Sequence, residues 1–82
     1  MQDFIKRIPV DGNFNPEFLF ARVYTVNGAR YYVSVLDKNR VSHHFTMEET
    51  DNIWRINDDR QIASWIKSAE ALLGQAILQN IV

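Results

Sequence analysis

Glu17-Phe-Leu-Phe-Ala-Arg-Val-Tyr-Thr-Val-Asn-Gly-Ala-Arg-Tyr-Tyr-Val-Ser-Val-Leu36 holds two runs rich in β-branched and aromatic residues, 17–26 and 29–36, on either side of Asn27-Gly28. Asparagine and glycine tolerate positive φ, which a type I′ turn needs at both central positions, and its twist suits a two-residue hairpin. That turn predicts a register in which Val26 faces Ala29, Tyr24 faces Tyr31, Arg22 faces Val33 and Phe20 faces Val35. Side chains alternate along a strand. One face therefore carries Phe18, Phe20, Arg22, Tyr24, Val26, Tyr31, Val33 and Val35. The other carries Leu19, Ala21, Val23, Thr25, Arg30, Tyr32, Ser34 and Leu36. The first set is bulkier and is expected to face the core.

Outward from this hairpin, Val41-Ser-His-His-Phe-Thr-Met47 alternates as a third strand, with Val41, His43, Phe45 and Met47 on one side. A three-residue turn at Asp37-Lys38-Asn39, with Asn39 left-handed, puts those residues on the Phe18/Phe20 face. A two-residue turn would put them opposite, because a one-residue slip exchanges the faces. The three-residue turn gathers the apolar side chains and is the one expected. Glu48-Glu49-Thr50-Asp51-Asn52 then forms a polar loop. Ile53-Trp54-Arg55-Ile56 forms a short fourth strand with Trp54 and Ile56 inward.

Asp58 and Gln61 have capping-box spacing, and Asp59 suits the positive end of a helix dipole. From Gln61 to about Asn80, Ile62, Trp65, Ile66, Ala69, Leu72, Leu73, Ala76 and Ile77 recur at helical intervals, over roughly 140° of the helix surface. So one-sided a helix needs a sheet to cover. The expectation is an α+β fold: an antiparallel β-meander of three to four strands, packed on one face by a single C-terminal amphipathic helix. Its 82 residues make one domain, with an arm at 1–16, the meander at 17–57 and the helix at 58–82. In the arm, Phe4, Ile5, Ile8 and Val10 need a packing surface, as an edge strand or as one helical turn; both stay open.

Composition narrows the function classes. The formal charge of −1 provides no basic stripe for phosphates. From Gln61 onward the helix carries a single cation, Lys67, too few for an anionic membrane surface. There is no cysteine, which removes disulfides, thiolate nucleophiles and sulfur-ligated zinc, and fits a reducing compartment. No apolar run has transmembrane length, and Met1-Gln2-Asp3-Phe4-Ile5 lacks the order of a signal peptide. The cytoplasm is the expected location.

No phosphate loop, His-Glu-x-x-His helix or nucleophile triad spacing is present. His43 and His44 are adjacent in a strand, so their imidazoles point to opposite faces and cannot share a metal. Zinc would need His43 with distant carboxylates. His43 is expected to be a hydrogen-bonded core histidine, and His44 a surface residue. Arg22 interrupts the apolar face, in one row with Val33 and His43. It either snorkels to Glu70 or a loop carboxylate, or joins His43 around a small anion pocket under the helix. The acidic residues Glu48, Glu49, Asp51, Asp58 and Asp59 lack the pattern of a calcium loop. Catalytic, cofactor-binding and metal-binding residues are therefore all expected to be none.

Two surfaces remain. Arg30, Tyr32, Arg40 and His44 lie on the outer sheet face, where Tyr32 with Arg30 and His44 could stack on unpaired bases. The order of four strands and then a helix is similar to that of the dimeric single-stranded-DNA-binding coactivator family, in topology alone, and topology does not carry function. Such a binder's lysine-rich character is missing. The second surface is a stripe at helical spacing on the far side of the helix: Ala71, Gly74, Leu78 and Val82. Either the arm or a second copy of the chain would cover it, and a symmetric homodimer would use it on both subunits. The expected function is a small non-catalytic protein-binding or regulatory module. A weak single-stranded nucleic-acid binder comes second and a small enzyme third.

Overall fold

The computed structural model describes residues 3–10, 12–26, 28–57 and 62–81. Five strands follow one another: β1 (Phe4–Arg7), β2 (Glu17–Thr25), β3 (Gly28–Leu36), β4 (Ser42–Thr50) and β5 (Ile53–Ile56). They lie in the sheet in that same order, each antiparallel to the next. Two helices end the chain, α1 (Ser64–Ser68) and α2 (Glu70–Ile81). The meander curls into a half-barrel and α2 packs on β5. This is the α+β arrangement expected. No helix among the described residues is long and apolar enough to cross a membrane.

The arm supplies the extra strand. Phe4 pairs with Phe20, and the two rings stack flat, 4.5 Å between centroids. Ile8 follows into the core. Of the two conformations open to the arm, Phe4–Arg7 take the edge strand, so five strands rather than four precede the helices.

Both central hairpins sit two residues away from the register predicted. The β2–β3 pair closes at Thr25 and Gly28, with Arg22 opposite Tyr31 and Phe20 opposite Val33. The expected turn residue Asn27 lies outside the described residues. Gly28 belongs to the last pair, at a φ of 117° that only glycine takes readily. The β3–β4 turn has the expected length but moves on by one, to Lys38-Asn39-Arg40, between Asp37 and Val41. The Asp37 N–H donates to Val41 O, and Arg40 N–H donates back to Asp37 O. Arg40, not Asn39, is the left-handed residue, with a φ of 63°.

An even slip leaves every side chain on its face, so the core is made as expected. Phe18, Phe20, Tyr31, Val33, Val35, Phe45 and Met47 are buried on the inner side. The slip does change neighbours. In the expected register Arg22, Val33 and His43 would share a row at the centre of the sheet. In the observed one Phe20, Val33 and Phe45 fill that row. Arg22 moves towards one end and His43 towards the other, where a charge is cheaper to hydrate. Tyr24, Val26 and Val41 share the inner parity but lie beyond the helix cover and are exposed.

The predicted acidic loop is mostly strand. β4 runs to Thr50, which pairs with Ile53. Only Asp51 and Asn52 turn, both at positive φ, 55° and 67°. The two-residue turn sought at Asn27-Gly28 is thus built from an Asp-Asn pair, whose short polar side chains tolerate that conformation.

The expected single helix is broken. It starts at Ser64 rather than Gln61, after Ala63, with no side-chain cap. The capping pair Asp58 and Gln61 lies outside the described residues. At Ala69 the N–H donates to Ile66 O, a tighter bond than the α pattern, before Leu73 N–H donates to Ala69 O and α2 proceeds. Ile66, Ala69, Leu73, Ala76 and Ile77 are buried as predicted, whereas Leu72 is exposed. Gly74, assigned to the far side, faces β5. A Cβ there would come within 3.3 Å of Trp54 O.

That close approach lets α2 finish the last strand. Ile56 turns its N–H away from β4, and the Glu70 carboxylate accepts it at 2.8 Å. Glu70→Ala is expected to cost about 1–3 kcal/mol by leaving this part-buried N–H without an acceptor. Glu70→Gln, which keeps an acceptor oxygen, should lose less. Urea unfolding of the two variants checks the order.

Candidate functional site

The outer sheet face presents an apolar strip. Ile5 pairs with Leu19, Leu19 with Ser34, and Ser34 with His44, forming one row across four strands. Tyr32 and Leu36 flank Ser34 along β3, diagonal to Leu19 and within reach of it. Ile5, Leu19, Tyr32 and Leu36 are 61%, 45%, 58% and 53% exposed. A shallow hollow of about 150 Å³ runs between Leu19, Ala21, Tyr32, Ser34 and His44. Ion pairs bound the strip at both ends. At one end Arg7 meets Glu17 at 2.9 Å. At the other, Arg30 Nε meets Glu48 at 3.2 Å.

The expected residues divide within this frame. Tyr32 and His44 are on the outer face, and His44 Nε2 bonds the Ser42 hydroxyl at 2.8 Å. Arg30 is on the same face, held by Glu48. Arg40 is an exposed turn residue rather than part of the strand face. Ile5 and Leu36 complete the strip. Ile5 was hidden because the conformation of the arm was open.

The helix stripe does not hold together. Gly74 is buried on β5, Ala71 and Leu78 are exposed, and Val82 lies outside the described residues. The arm does not cover Ala71 and Leu78. Arg7, Ile8 and Pro9 border α2 beside Leu72, Gln75 and Gln79.

Arg22 and His43 are apart, so no anion pocket joins them. The Arg22 guanidinium lies over Tyr24, 4.9 Å from the ring centre, and beside Tyr31, at 5.8 Å. The Glu70 expected to reach it is bound to Ile56 instead. His43 is a hydrogen-bonded, half-buried histidine. Its Nε2 lies 3.0 Å from Asp37 Oδ2, and its ring meets Trp65 edge-on at 5.4 Å. Among the described residues no group of three or more His, Cys, Asp or Glu side chains is placed to hold a metal ion.

Sequence reading missed Asp37 and its surroundings. Asp37 Oδ1 accepts Asn39 N–H at 2.8 Å and Val41 N–H at 2.9 Å, while Oδ2 takes the His43 ring proton. The available signal was an aspartate at the start of a turn, where its side chain bonds backbone two residues on. Phe14, Asp37, Lys38, Asn39 and Trp65 surround a notch of about 220 Å³. Lys38 of the same chain lies over Phe14 there, at 5.3 Å. The donors around the Asp37 carboxylate come from its own turn and from His43 on β4, which makes it a brace for the β3–β4 connection.

Comparison of the chain with protein-family models, with curated proteins and with solved structures finds no match.

The His43 hydrogen bond, then Val41 N–H, hold the Asp37 carboxyl below its ordinary value, against a smaller opposing effect of burial. A carboxyl whose folded value is depressed contributes stability that is present above the ordinary carboxylate range. That contribution is lost as pH falls through the range to the folded value. The thermal midpoint of Asp37→Asn is therefore expected to lie below the unmodified chain's at neutral pH, with the gap closing on acidification. Circular-dichroism melts across a pH series measure it.

Proposed function

We propose that this chain is a small non-catalytic protein-binding or regulatory module whose outer sheet face receives a protein partner. The supporting observation is the strip of Ile5, Leu19, Tyr32 and Leu36, apolar at its centre and closed by the ion pairs Arg7–Glu17 and Arg30–Glu48. An apolar centre with a charged rim is the anatomy of protein interfaces, and contiguous apolar surface on a small chain usually has an occupant.

Magnitude sets the size of the contact. Covering four large side chains that are about half exposed contributes on the order of 3–6 kcal/mol, taking half the value for full burial of each. Association costs roughly 4–15 kcal/mol in lost freedom. The strip alone is therefore too small, and the partner must extend over the rim, where Tyr32 and the arginines add polar contacts. The nucleic-acid reading draws less support, because Glu48 already neutralises the Arg30 cation it relies on.

Leu19→Glu with Tyr32→Glu tests the proposal. Both residues are about half exposed, so the double variant is expected to unfold within about 1 kcal/mol of the unmodified chain. It should no longer capture proteins that the unmodified chain retains from native lysate. Equal capture by both would remove the outer face from consideration. Salt-sensitive oligonucleotide binding, lost in the same variant, would favour the nucleic-acid reading instead.

A further inference from the structure

Three side-chain polar atoms among the described residues are buried without a hydrogen-bond partner: Arg22 Nε, Tyr31 Oη and Trp54 Nε1. They belong to one cluster. Arg22 stands opposite Tyr31 across the β2–β3 pair, and the rings of Tyr31 and Trp54 meet edge-on at 5.4 Å. Tyr31 and Trp54 are 0% and 4% exposed. Arg22 is half-buried and leads out to the exposed ring of Tyr24. Buried polar groups are nearly always satisfied, so three together need a reason.

The imbalance has a definite sign. Arginine Nε–H and indole Nε1–H can only donate, and the tyrosine hydroxyl can donate as well. The cluster holds three donor hydrogens against one acceptor, the tyrosine oxygen, so donors are in surplus. The carboxylates on adjoining elements do not provide a further acceptor. Asp3 takes the backbone N–H of Arg22 at 3.1 Å, Glu70 takes that of Ile56, and Glu48 holds Arg30. Glu49, opposite Trp54, is exposed. Among the described residues, Arg22 has no ion-pair partner.

We propose that Arg22, Tyr31 and Trp54 form a binding site for a carboxylate of a partner protein. It would enter at the rim beside Tyr24, where half-buried Arg22 leads out, and supply acceptor oxygens for the surplus donors. The contacts with the rings of Tyr24 and Tyr31 hold the guanidinium without using its N–H groups, leaving a planar fork that matches two carboxylate oxygens. Phosphate fits less well, because the cluster holds one cation beside two neutral donors. Arginine beside an exposed tyrosine is also the composition of interface hot spots. The site is on the inner side of the sheet near the tip of the β2–β3 hairpin, so it does not depend on the outer strip.

The test is a titration of the full ¹⁵N-labelled chain, following the Arg22 Nε–H and Trp54 indole resonances. The probes are an acetylated tetra-alanine with a free C-terminal carboxylate, an amide-terminated peptide carrying one glutamate, its glutamine counterpart, and inorganic phosphate. Saturable shifts of both resonances are expected with a carboxylate probe and not with the glutamine peptide. The tighter of the two carboxylate probes distinguishes a chain terminus from an acidic side chain. Arg22→Lys should weaken binding about tenfold, because it keeps the charge and loses the fork. Tyr31→Phe should weaken binding while leaving the thermal midpoint level or higher, because the deleted hydroxyl has no internal partner. Leu19→Glu should leave the titration unchanged. No shift at tens of millimolar carboxylate, a response to phosphate alone, or a Tyr31→Phe chain that melts lower and binds normally would each overturn the proposal.

Discussion

The row Phe20–Val33–Phe45 runs across the three central strands, and all three side chains are buried under the helices. An 82-residue chain has enough apolar material for one core, and this row is its middle. Phe4 stacks on it from the edge strand, and Tyr31 and Trp54 continue it towards β5. Everything else is arranged so that no charge interrupts the row. The hairpins slip by an even number of residues, Arg22 and His43 are displaced towards opposite ends, and the short helix α1 bends at Ala69 before α2 follows the sheet.

The same constraint explains what the sequence reveals and what it hides. Alternation in β2, β3 and β4 names the inward residues whatever the register, because a slip of two leaves parity intact. The faces of Phe18, Phe20, Val33, Phe45 and Met47 were therefore legible. The register was not, because it depends on which residues turn, and Asn27-Gly28 is an equally good turn pair in isolation. Packing outweighed that local preference by moving Arg22 off the central row. Leu72 and Gly74 were misassigned for a related reason. Helical periodicity locates a face only relative to a partner, and α2 lies in a trough between β5 and the arm. Ile5 could not enter the outer strip until the arm was known to be a strand.

The polar residues divide by what they are bound to. Asp37 and His43 are paired with each other and serve the β3–β4 connection. Arg30 and Glu48, like Arg7 and Glu17, fix the margins of an apolar surface. Arg22 is held by rings rather than by a carboxylate. The arrangement as a whole presents exposed apolar area on the outer face and the Arg22 guanidinium at the hairpin end.

The two margins of the sheet differ in a way that matters for assembly. On the β5 side, Glu70 plugs the Ile56 N–H and α2 presses against Trp54 through Gly74. On the β1 side, no further strand lies beyond Phe4–Arg7 among the described residues. Main-chain pairing between molecules thus has one vacant side to use. Two copies zipped β1 to β1 would leave only plugged sides facing outward, so such growth terminates at a pair and cannot run on into a fibre.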